Sequence, residues 1–102
     1  MPTITYRIKL AESTAPVPEA SAVYLDGQPV AFDANNMADV LLPREPAGTK
    51  RRVYLYVAGN RGSTIEVTIY KKDAGVLTEV YARKLTVRND PDVDAAEYFP
   101  EP

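Results

Sequence analysis

The chain has no cysteine, no histidine and no tryptophan among its 102 residues. Without cysteine no disulfide staples the fold, and core packing alone must hold it. Without histidine the side chain most used for proton transfer near neutral pH is missing, and with it the Ser-His and Cys-His nucleophile arrangements. Both absences together remove the usual zinc ligands. Long apolar runs are lacking too, so no membrane span is expected. The opening Met1-Pro2-Thr3-Ile4-Thr5-Tyr6-Arg7 is polar and alternating and does not resemble a signal peptide, which makes the cytoplasm the default expectation. Nine prolines are spread along the chain, and no 3.6-residue apolar pattern survives for three turns, which excludes long helices.

What is present is period-two alternation. Val53, Leu55 and Val57 alternate with Arg52, Tyr54 and Tyr56, and Ile65, Val67 and Ile69 alternate with Glu66, Thr68 and Tyr70. That is the pattern of strands with one buried face. The five residues Gly59-Asn60-Arg61-Gly62-Ser63 have the odd count that keeps Val57 and Ile65 on one face, so residues 52–83 are expected to form a three-stranded antiparallel meander. Further strands are expected over residues 3–10, 20–25, 28–32 and 37–42. Asp26-Gly27 supplies a two-residue hairpin, because both turn positions need positive φ, and Pro29 argues for a sheet edge. Lys72-Asp73-Ala74-Gly75 fits a four-residue connection with Val67 opposite Val80, and a bulge at Arg83-Lys84 would return Leu85 and Val87 to the core.

These features predict an all-β fold: an antiparallel β-sandwich of about six to seven strands, immunoglobulin-like, with a small β-barrel as the alternative. The length suits one domain over residues 1–88, followed by residues 89–102 as an acidic tail or a short helical turn capped at Asn89 or Asp90. Charge is uneven. Residues 1–43 carry a net −3, residues 44–84 carry +5, and residues 85–102 carry −4.

The meander places Arg52, Tyr54, Tyr56, Glu66, Thr68, Tyr70, Glu79 and Tyr81 on one outer face. Tyrosine gives large contact area with few torsions to freeze, which suits a binding face. The plain alternative is a set of stabilising cross-strand pairs. Glu66 and Glu79 become diagonal neighbours, but a flat face offers no desolvating cleft for glycosidase-type chemistry. A basic cluster of Lys50, Arg51, Arg52, Lys71 and Lys72 is expected at one sheet end. It suits an anionic partner or an edge guarded against aggregation, and the acidity of the whole chain favours the guard over nucleic acid. The acidic end is expected to compete with such a partner in cis. Asp90, Asp92, Asp94 and Glu101 match four positions of a calcium loop, yet Ala95 stands where the turn glycine belongs and Pro100 intrudes, so no metal is expected. No glycine-rich phosphate loop is present, and no cofactor is expected. The functional expectation is a non-enzymatic binding or assembly module that uses the tyrosine face for protein contact or self-association. A carbohydrate-binding module using the same face is the alternative.

Overall fold

The computed structural model describes residues 2–102 as eight strands in two antiparallel four-stranded sheets. Sheet A runs in the order β4 (Met37–Pro43), β1 (Thr3–Glu12), β6 (Thr64–Asp73), β7 (Val76–Thr86). Sheet B runs β3 (Gln28–Pro29), β2 (Ala20–Leu25), β5 (Lys50–Ala58), β8 (Asp92–Pro100). Alternation decides which side chains enter the core between them. Ile4, Tyr6 and Ile8 of β1 and Ile65, Val67 and Ile69 of β6 face Val23 and Leu25 of β2 and Val53, Leu55 and Val57 of β5, all buried. Burial of this apolar surface is the main force holding two sheets together. Among the described residues no helix is long and apolar enough to cross a membrane.

The Asp26-Gly27 hairpin forms as its sequence demands, with φ of 50° and 80° at the two turn positions. Pro29 lies on the edge strand β3, where its missing N–H costs no ladder bond. Leu85 and Val87 both enter the core.

Three expectations are corrected. First, β5 and β6 do not pair: β5 lies between β2 and β8, and β6 between β1 and β7. Gly59–Ser63 crosses from one sheet to the other, so the meander of residues 52–83 does not exist. Alternation fixes which face a residue occupies but not which strand lies beside it, and sheets about 10 Å apart are as easily bridged by five residues as a hairpin is closed. Second, the β6–β7 turn is the two-residue Ala74-Gly75, with φ of 50° and 80°, and the bulge falls at Val80. Val67 therefore opposes Arg83 instead of Val80. Third, residues 92–100 are strand β8, fully paired with β5, where a tail or helical turn was expected. Val93, Ala95 and Phe99 point inward from it, and Phe99 is buried against Tyr6 with ring centroids 5.6 Å apart.

Candidate functional site

Separation of β5 from β6 divides the expected face between the two outer surfaces. Arg52, Tyr54 and Tyr56 lie on sheet B. Glu66, Thr68, Tyr70 and Glu79 lie on sheet A, where Glu66 opposes Lys84 and Glu79 opposes Tyr70, so the two glutamates are not neighbours. Lys9 sits 5.3 Å from the Tyr70 ring centre, and Arg7 is paired with Asp39 at 2.9 Å, which makes this surface a mixed-charge one. Tyr81 joins neither face. The bulge at Val80 turns it inward against Phe99, and its hydroxyl donates to Glu97, which also receives Arg83 Nη1 at 2.8 Å. This group closes the open side of the sandwich between β7 and β8. Burial and then the Glu97 hydrogen bond push the Tyr81 hydroxyl well above the usual tyrosine range.

The basic cluster is likewise dispersed. Lys50 and Arg52 are exposed on sheet B, Lys72 faces outward on sheet A, and Lys71 opposes Tyr6 at the inner side of the sheet end. Arg51 is buried, at 3% exposure. Its parity with Val53, Leu55 and Val57 was a readable signal of that. Its Nε donates to Glu101 Oε2 at 2.6 Å, Nη1 to Asp26 at 2.9 Å, and Nη2 to the Pro43 carbonyl at 2.7 Å. Tyr6 donates to the other Glu101 oxygen at 2.7 Å. Burial opposes the guanidinium charge, but Asp26, Tyr6 and Glu101 outweigh it and raise its pKa further. Glu101 is thus part of a buried lock joining both sheets. It is far from sharing a calcium loop with Asp90, Asp92 and Asp94, and no cluster of three metal-ligating side chains occurs among the described residues. With the acidic end paired into sheet B and the cations spread apart, what joins the two is the fixed Arg51–Glu101 pair, and the acidic end is no flexible competitor for a partner of the cations.

Sheet B nevertheless assembles its own tyrosine face. Tyr54 on the central strand β5 is flanked by Tyr24 of β2 and Ala96 of β8. Tyr56 lies between Ala22 and Asp94, and Arg52 opposes Tyr98. Tyr24 and Tyr98, which the expected site did not include, are 36% and 58% exposed and lie on the same face. Their alternation with Val23, Leu25 and Phe99 would have shown which face they occupy. The Tyr54 hydroxyl reaches across the sheet to Asp94 at 2.8 Å, and that of Tyr56 to Asp92 at 3.4 Å. Each ring therefore leans over β8 in the same diagonal direction. The Asp94 hydrogen bond raises the Tyr54 pKa, while burial and then the nearby Asp92 charge raise that of Tyr56. Tyr24 packs on Tyr54 edge to face, with centroids 5.9 Å apart and planes at 60°. Tyr24, Arg52, Tyr54 and Tyr98 surround a shallow concavity of about 480 Å³ that the small Ala96 also lines. Comparison with family models, with curated proteins and with solved structures finds no match for this chain.

Proposed function

We propose that this protein is a non-enzymatic binding module that contacts another protein through the outer face of sheet B. The observation that carries this reading is the pinning of Tyr54 by Asp94 at 2.8 Å, on the central strand, beside the exposed rings of Tyr24 and Tyr98. Rings already held in place lose little entropy on contact, and aromatic anchors beside small residues are the usual centre of a protein interface. The 60° angle between Tyr24 and Tyr54 breaks the flat platform on which a sugar ring would stack, which favours protein over carbohydrate.

The sandwich itself we read as immunoglobulin-like in its central strands. Pairing of β1 with β4 and of β2 with β5 parallels the B–E and C–F pairs of that fold, with β8 in the place of strand G. The β6–β7 hairpin, lying where strand A would be, is its departure.

Photo-crosslinking separates the readings. A crosslinking residue at position 24 or 98 should give protein adducts in cells, and one at position 70 on the opposite sheet should not. With the adduct partner purified, Tyr54→Ala should weaken binding about 30-fold, the scale of a central aromatic anchor of about 2 kcal/mol. Equal adducts from both faces, or affinity unchanged by Tyr54→Ala, would reject the sheet B face. Binding of the chain to a glycan array without protein adducts would favour carbohydrate instead.

A further inference from the structure

The backbone of β8 offers a second surface beside the tyrosines. Gly59 N–H donates to the Pro91 carbonyl and Glu101 N–H to the Thr49 carbonyl, both in register with the β5–β8 ladder. Hydrogen-bonded pairs alternate along an antiparallel ladder, so residues 93, 95, 97 and 99 bond to β5. Asp92, Asp94, Ala96 and Tyr98 therefore turn their backbone N–H and C=O groups away from the sheet. A row of free backbone groups on an edge is a template for another strand.

The other edges are blunted. β3 has two residues. β7 carries the bulge at Val80 and the exposed Lys84. β4 ends in Pro43, and its Met37 carbonyl is taken by Asp33 N–H. β8 is nine residues long, without lysine or bulge; it too ends in a proline, Pro100, but Asp92, Asp94, Ala96 and Tyr98 keep both backbone groups, and its inward Glu97 is paired with Arg83. Of these edges it is the one left open for pairing.

We propose that β8 pairs antiparallel with β8 of a second copy of this chain, about a two-fold axis at Ala96, so that the two B sheets join and each copy closes the other's tyrosine concavity. This names the partner for the contact role proposed above and rests on it. Charge selects the register. Only even-numbered residues have free backbone groups, which restricts the axis to a few positions. An axis at Asp94 sets two carboxylates opposite each other, and one at Ala95 leaves them diagonal. At Ala96 the alanines meet and each Asp94 lies opposite the second copy's Tyr98, so the outer face sets no acid beside an acid; on the inner face the two Glu97 fall diagonal, each held by its own Arg83. Roughly six backbone hydrogen bonds form across the joint. Tyr98, 58% exposed in the single copy and part of the concavity's lining, then packs across the joint beside the second copy's Asp94.

Sedimentation from about 1 µM to 1 mM, the range of weak to moderate self-association, tests this. The wild type should pass from monomer to dimer. Ala96→Pro should remain monomeric with an unfolding midpoint close to wild type, because the N–H it removes makes no bond to β5. Should that variant fold poorly, Tyr98→Asp and Tyr98→Lys give the same answer. The first sets a second carboxylate opposite Asp94 and should abolish the dimer, and the second sets a cation there and should keep it. Ala96→Cys should form a disulfide-linked dimer on mild oxidation, since paired Cα atoms would be about 5.5 Å apart. A wild type that stays monomeric across the range overturns the proposal. So does a dimer that survives both Ala96→Pro and Tyr98→Asp. Adducts to other proteins from positions 24 and 98 would in either case leave the contact role of the face standing.

Discussion

Arg51 and Glu101 are joined at 2.6 Å in a site where each residue keeps only 3% of its surface exposed, so a cation and an anion face each other between the two sheets. Desolvating two ions costs several kcal/mol each, and the pair persists because the Asp26 carboxylate, the Tyr6 hydroxyl and the Pro43 carbonyl satisfy what remains.

Removing one partner of this pair should therefore be far worse than removing both. Glu101→Met or Arg51→Met is expected to cost about 3–5 kcal/mol, because it strands a buried charge. Arg51→Met combined with Glu101→Met should cost less than either single change. Urea denaturation of the three variants measures this, and a double variant as unstable as the two singles added together would show the groups to be uncoupled.

Alkaline pH should unfold the chain earlier than its composition suggests. Burial first, and hydrogen bonding to Glu101 second, raise Tyr6 well above the ordinary value near 10, and Tyr81 is raised by burial and Glu97. Below about pH 10 both tyrosines are neutral in the folded and unfolded chain and contribute no pH dependence. Above it the unfolded chain ionises first and holds fewer protons than the folded one, so stability falls as pH rises towards the folded pKa values. A single such group steepens the fall by up to about 1.4 kcal/mol per pH unit. Tyr6→Phe should lower stability at neutral pH, by leaving Glu101 short of a donor, yet flatten the alkaline limb. A Tyr6→Phe limb as steep as the wild type's would remove Tyr6 as a cause.

The crossing loop offers a paired test of backbone and side chain. Gly59 has φ of 152°, and a Cβ there would lie 2.8 Å from Ser63 Oγ and 3.1 Å from the Glu19 nitrogen. Gly59→Ala should destabilise by more than about 1 kcal/mol. Ser63 Oγ is buried without a protein hydrogen-bond partner, so Ser63→Ala should be neutral or stabilising. The double change should recover only part of the loss, because the Glu19 nitrogen is backbone and cannot move aside. Full recovery in thermal melts would place the whole strain on the hydroxyl.

Faces were legible in the sequence and partners were not. Inward residues of β1, β2, β5 and β6 follow from alternation, and Asp26-Gly27 specifies its turn by the conformations it tolerates. Pairing between β1 and β6 or β5 and β8 leaves no comparable local trace, since it depends on which aliphatic face meets which across the core. Strand β8 was hidden because Asp92, Asp94, Ala95 and Ala96 have low strand propensity, and only Val93 and Phe99 mark its inward side. The tyrosine face was anticipated in kind, but five of its eight members left it because β6 and β7 belong to the other sheet.

Of the six strand pairings, only β2–β3 and β6–β7 join neighbours in the chain. The rest enclose long stretches of sequence, so the entropy of closing those loops is spent before the contacts that reward it exist. Folding on the millisecond-to-second scale follows from that arrangement, with β6–β7 the one long hairpin available to form early. Until β8 docks on β5, the inner side of sheet B stays uncovered at one flank, and the chain passes through its most adhesive moment just before it becomes native.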